Sequence, residues 1–162
     1  MNNLKQFFLV IIYHNLKNEN PFYLTWKCRD LLELQKNDYD VFMYIEDDIL
    51  VPKKAINYWL DYNDKLIIKN LNLGFLRIEV KNDKEYITDL YGEKFDTECF
   101  INNEKYCVNN KNPYCAFWIY NKNEFNNYVN SKYWNLNNIH GYDIRETSAI
   151  GLHGYKTNWY KN

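Results

Sequence analysis

The chain has 162 residues, 46% apolar and 19% aromatic, enough to bury one ordinary core and too apolar for intrinsic disorder. Twenty basic side chains face 21 acidic ones, and a net charge of −1 leaves no electrostatic footprint for a nucleic-acid backbone or an anionic membrane as the main partner. The apolar stretch Phe7 to Ile12 is far below the roughly 20 residues that cross a bilayer. It also lacks the charged start and small-residue cleavage site of a secretory signal, so a cytoplasmic protein without a transmembrane segment is expected. Cys28, Cys99, Cys107 and Cys115 show no CxxC spacing, which favours reduced, partly buried thiols over a disulfide framework or a zinc site.

Taken in order, Leu4 to Tyr13 reads as a buried strand, short and rich in β-branched and aromatic residues. Asn20-Pro21 predicts a helix start, followed by Leu24, Cys28, Leu31 and Leu32 at helical spacing over Phe22 to Leu34. Asp40 to Ile45 predicts a second buried strand, which runs straight into Glu46-Asp47-Asp48. Pro52 opens another helix with Ala55, Ile56, Trp59 and Leu60 inward. Leu73 to Val80 reads as a third strand, and the polar pairs Asn82-Asp83 and Asn102-Asn103 predict hairpin turns. Pro113 to Tyr120 predicts a further strand and Glu124 to Tyr133 a helix. The tail from Ile139 reads as a loop entering a short helix. Strand, helix, strand, helix and then hairpins predict a single α/β domain over residues 1–162, a mixed sheet with flanking helices and an antiparallel extension.

The acidic triplet is the most informative feature. It interrupts an apolar run, with Val41 to Ile45 before it and Ile49 to Val51 after it. Carboxylates that close to a core are desolvated and repel one another unless a cation sits among them. Hard oxygen donors suit Mg²⁺ or Mn²⁺. An extended strand end puts Glu46 and Asp48 on one side and Asp47 on the other. The alternative is a strand end that meets water, with the acids solvated or serving the start of the next helix.

Tyr44-Ile-Glu-Asp-Asp-Ile49 resembles the metal-binding acidic motif of GT-A-type glycosyltransferases, most closely the Glu-Asp-Asp form of the N-acetylglucosaminyltransferase I type. The resemblance runs from about Asp40 to Gly151 and implies a GT-A-like, partly truncated fold, since only residues 1–45 precede Glu46. It implies a nucleotide-sugar donor, a glycan or other hydroxyl acceptor, and Mn²⁺ or Mg²⁺ held by Asp48. Glu46 and Asp47 would touch ribose or metal-bound water. The segments Asn72–Glu79 and Asn112–Ile119 resemble the acceptor-side strands, and Asp143-Ile-Arg-Glu146 lies where such enzymes carry their catalytic acid. Glu146, ahead of Asp143, is the expected general base, unless the two acids form a helix start with Arg145 as an ion partner. The late His153 stands where many such enzymes supply a His to the metal. Arg77 is a candidate for a phosphate or acceptor, or for an ion pair with Glu79 or Glu46. Trp118, Trp134, Tyr114 and Tyr142 are candidates for stacking on a sugar, against core packing.

Two rival readings remain. Asp48 followed by Glu79-Val80-Lys81 resembles the Asp…Glu-x-Lys pattern of restriction-endonuclease-like folds, implying a Mg²⁺-dependent nuclease. A chain that kept the fold without the donor site would instead be a non-catalytic binding domain.

Overall fold

The computed structural model describes residues 11–69, 71–88, 90, 92–109, 112, 114, 116–135 and 143–150. It is mixed α/β. Asn20 caps a 3₁₀ helix, Pro21–Trp26, its side-chain oxygen accepting the Phe22 N–H at 3.0 Å. Helix α1, Cys28–Leu34, follows as a separate element rather than continuing one helix from Phe22. At three residues per turn the first segment cannot keep the apolar face in register with the second. Leu24 and Leu34 are exposed, and the side chain that α1 buries is Arg29.

Strand β1 (Val41–Ile45) pairs antiparallel with β6 (Phe117–Asn121), and β6 is the spine of the molecule. Its alternate side chains feed two clusters. Trp118 and Tyr120 join Phe42 and Tyr44 of β1 on one face. There they pack on Phe125, Tyr128 and Val129 of α3 (Lys122–Val129), on Trp134 and on Ala149. Phe42 and Phe125 stack at 4.0 Å between ring centroids. Phe117 and Ile119 face the other way, onto Trp59 and Leu66 of α2 (Lys53–Ile67), with Leu73 and Ile101. Strand β1 buries only Phe42 and Tyr44, whereas Val41, Met43 and Ile45 are exposed.

Two hairpins complete the fold, β2–β3 (Ile78–Lys81, Lys84–Ile87) and β4–β5 (Glu98–Ile101, Glu104–Cys107). Both turn on the expected dipeptides. Asn82 and Asp83 have φ of 52° and 57°, Asn102 and Asn103 51° and 68°, the left-handed pair that matches strand twist in a two-residue turn. The last helix is α4, Ile144–Ile150.

Several further expectations change. The single mixed sheet is replaced, among the described residues, by three separate two-stranded antiparallel sheets. The strand expected from Leu73 begins only at Ile78. Residues 72 and 73 make other bonds: Leu73 N–H donates to the Asn63 side chain at 3.2 Å and the Asn72 amide to Glu124 at 2.6 Å. The strand expected from Pro113 starts at Phe117, just after Ala116 takes the left-handed φ of 56°. The helix expected over Glu124 to Tyr133 stops at Val129, and Ser131 caps a separate 3₁₀ turn, Lys132–Trp134. Of the strand expected over Leu4 to Tyr13, residues 4–10 lie outside the described residues, while 11–13 are exposed and irregular. Among the described residues no helix is long and apolar enough to cross a membrane.

Candidate functional site

Strand β1 delivers the acidic triplet to the edge of the core. Glu46 N–H donates to the Ala116 carbonyl at 3.1 Å, one step beyond the β1–β6 ladder. Past that bond the partner strand bends away at Ala116, so the triplet does not stay extended. Ile49 N–H closes a turn on the Glu46 carbonyl at 3.2 Å. Glu46 is left half-buried, and Asp47 and Asp48 are exposed. The extended alternation expected for the three acids is thus replaced by a turn. Pro52 heads α2 without a side-chain cap and no acid sits in its first turn, so the triplet does not serve that helix.

Helix α4 brings the second half of the site. It is held from three directions: Trp26 Nε1 donates to the Ile144 carbonyl at 2.8 Å, Arg29 Nη2 to the Ser148 carbonyl at 3.1 Å, and the Tyr44 and Ser148 hydroxyls meet at 3.2 Å. Tyr44 stands two residues before Glu46, so the same contact that seats α4 sets Arg145 and Glu146 beside the triplet. Arg77 arrives from the segment before β2, its Nε donating to Thr88 Oγ1 at 2.9 Å and its guanidinium 5.6 Å from the Tyr114 ring centroid.

The electrostatics show the convergence. Burial holds the Glu46 carboxyl above its usual range; Arg145 pulls it back, Asp48 and Glu146 push it further up, and Arg77 again opposes. Burial, then the Glu46 charge, pushes the Tyr114 hydroxyl up to about 12, against Arg77 and Arg145. Glu46 Oε1 is buried and has no hydrogen-bond partner among the described residues. A native structure leaves few such atoms, and each asks for an explanation.

Of the residues singled out in the sequence, Glu46, Asp48, Arg77 and Glu146 therefore share one electrostatic neighbourhood. Asp47 adjoins it on the turn. Asp143 lies outside α4 and is exposed; its carbonyl accepts from Thr147 N–H at 2.9 Å and Thr147 Oγ1 at 2.7 Å, a helix-start arrangement. Glu146 Oε1 is paired with Arg145 at 2.9 Å. His153, Tyr142 and Cys115 lie outside the described residues. Cys28, Cys99 and Cys107 are free thiols. Trp118 and Trp134 are core residues. Glu79 and Lys81 sit on an exposed hairpin and are not among the charges that act most on Glu46. Sequence reasoning gave Arg145 only the part of an ion partner, although it is the largest charge acting on Glu46. The proximity of Arg145 to Glu146 in sequence gave no hint of Glu46, about 100 residues away.

Among the described residues no three His, Cys, Asp or Glu side chains gather closely enough to share an ion. What the described residues offer is one half-buried carboxylate, Glu46, in the field of Asp48. Mg²⁺-type ions commonly take one or two carboxylates and complete their shell with water and substrate phosphate. Such an ion fits these residues; a closed all-protein cage does not. No protein family, curated protein or solved structure matches the chain.

Proposed function

We propose that this chain is a metal-dependent glycosyltransferase of GT-A-like design, moving a sugar from a nucleotide-sugar to an acceptor hydroxyl. The reading rests on one observation above the others. Glu46, with a buried oxygen that no described residue satisfies, lies in the combined field of Asp48, Glu146, Arg145 and Arg77. Three carboxylates beside two guanidiniums suit a cation and a diphosphate together, the acids drawing the cation and the guanidiniums the diphosphate.

Asp48 and Glu46 would hold Mn²⁺ or Mg²⁺, with Asp47 at the ribose or at water on the ion. The chemistry such an ion would supply there is neutralisation of charge on a departing diphosphate. Arg77 and Arg145 bind the phosphate oxygens and orient them. The glycosyl–phosphate oxygen bond breaks, the bond from the acceptor oxygen to the sugar carbon forms, and the acceptor proton passes to Glu146, freed from Arg145 as that guanidinium turns to phosphate. Asp143 stands one turn away as a second acid near the acceptor. The exposed setting of Glu79 and Lys81 favours this reading over the nuclease. A binding domain without catalysis would keep the diphosphate affinity and lack transfer.

Calorimetric titration with a nucleoside diphosphate, with and without Mn²⁺, tests it. Mn²⁺ is expected to tighten binding by about tenfold or more in the natural chain. Asp48→Ala, an exposed position, is expected to lose that gain while keeping its unfolding temperature. Equal affinity with and without the ion in the natural chain would sink the proposal.

A further inference from the structure

A cavity of about 260 Å³ lies beneath β4–β5, between that hairpin, the 71–76 segment and β6. Its walls are mostly apolar, with Leu66, Leu73, Phe75, Phe117 and Ile119 among them, and Asn72, Lys105 and Asn109 add polar groups. Unfilled apolar volume costs stability in proportion to its size, and ligand sites are typically concave, mostly apolar pockets with a few polar groups. A cavity of about 150 Å³ lined by Leu, Ile and Phe takes a benzene ring. This one has room for a ring with an aliphatic extension, or for a medium-length alkyl chain.

Three wall segments run directly into the acidic site. Leu76 precedes Arg77, and Phe117 follows Ala116, whose carbonyl holds the Glu46 backbone. Asn109 reaches Tyr114 through Asn112: its amide donates to the Asn112 carbonyl at 2.7 Å, and the Asn112 side chain accepts from Tyr114 N–H at 3.1 Å. Adjacent residues are about 3.8 Å apart at Cα, so three segments that line the cavity continue along the chain to the charged cluster at the end of β1.

We propose that the cavity holds the apolar aglycone of the acceptor, making the acceptor an alkyl or aryl glycoside or alcohol rather than a free polar sugar. This rests on the glycosyl-transfer reading above. The cavity supplies binding energy remote from the reacting hydroxyl, which then positions that hydroxyl at the charged cluster.

The test is a fluorescence titration of the full chain with N-phenyl-1-naphthylamine, an uncharged aromatic probe. Saturable binding is expected, with displacement by octyl glucoside below its micelle concentration and none by glucose. Cys99→Trp, which fills the cavity from a half-buried wall position, is expected to weaken the probe by about tenfold or more. Leu71→Trp repeats the test from a second half-buried wall position should the first variant fail to fold. Asp48→Ala is expected to bind the probe unchanged. Octyl glucoside is expected to outperform glucose as acceptor in Mn²⁺-dependent transfer. No saturable binding, unchanged affinity in both Trp variants, or equal use of the two acceptors overturns the proposal. Failure of the transfer reading shows separately, as absent Mn²⁺-dependent diphosphate binding with probe binding retained, and it removes the acceptor role as well.

Discussion

Two carboxylates, Glu124 and Glu46, are both pushed above their usual range by burial, and the protein treats them in opposite ways. Glu124 is 1% exposed and saturated: Asn63 donates to it at 3.0 Å, Asn72 at 2.6 Å and Asn121 N–H at 3.0 Å. It closes a capping box on α3 and ties α2 and the 71–76 segment to that helix. Glu46 has neighbouring charges in place of donors, and one of its oxygens has no partner among the described residues. Burial alone therefore does not separate the two acids. What sets Glu46 apart is burial without satisfaction, at a point where guanidiniums and further acids converge.

The first way to break that comparison is Glu124→Ala. It strands two side-chain amides and a backbone N–H in the core, and unfolding free energy is expected to fall by about 3 kcal/mol. Chemical denaturation with an unchanged slope would read it. A loss below about 1 kcal/mol would mean that the three donors find other partners, and the distinction between the two acids would weaken.

How much of this was legible in the chain follows from how local each signal is. Asn20-Pro21, Pro52, Asn82-Asp83 and Asn102-Asn103 act through a few neighbouring dihedrals, and each one starts a helix or turns a hairpin as read. The triplet's place at a strand end was equally visible, because Val41 to Ile45 is apolar throughout. The sheet was not. Pairing β1 with β6 joins residues about 75 apart, and no local pattern specifies that partner. Arg29 was also hidden. Its guanidinium lies 4.0 Å from the Trp26 ring centroid and 4.6 Å from that of Trp134, and it donates to the Trp134 carbonyl and to Tyr128. Carbonyls and aromatic faces together replace the carboxylate that a buried Arg ordinarily finds. Only Trp26, three residues earlier, is readable as its neighbour. The approach of Arg145 and Glu146 to Glu46 depends on that same lock, so the site inherits the illegibility of the tertiary contacts that hold α4.

A milder change sharpens the contrast through pH. Glu124→Gln keeps the shape and loses about 1 kcal/mol near pH 4, where Asn72 must turn its amide to meet the new NH₂. Because the natural carboxyl has a raised folded-state value, its contribution is fully present below the ordinary value of 4.5 and is lost as pH rises through the raised one. The stability gap between the natural chain and Glu124→Gln is therefore expected to narrow as pH climbs from 4 towards neutrality. A gap that widens over the same window would show the carboxylate to be better held than its neutral form.

The smallest expected effect is also the most diagnostic. Glu46→Gln removes a charge that burial, Asp48 and Glu146 disfavour, at the cost of its attraction to Arg145 and Arg77. The net is a gain of a few tenths of a kcal/mol at pH 7, kept small by solvent screening. The same sign rule applies: the penalty for ionising Glu46 is absent below 4.5 and grows as pH rises, so the gain should vanish in acid. Mn²⁺ affinity should move the other way. A bound ion needs the carboxylate ionised, so affinity in the natural chain should rise with pH across that window, and Glu46→Gln should flatten the rise. A substitution that leaves the fold intact or slightly firmer while weakening the ion is the trade expected of a residue kept for binding. If Glu46→Gln instead destabilises the chain as Glu124→Ala does, with Mn²⁺ affinity unchanged, then Glu46 belongs with Glu124 among the structural acids and the open site loses its central residue.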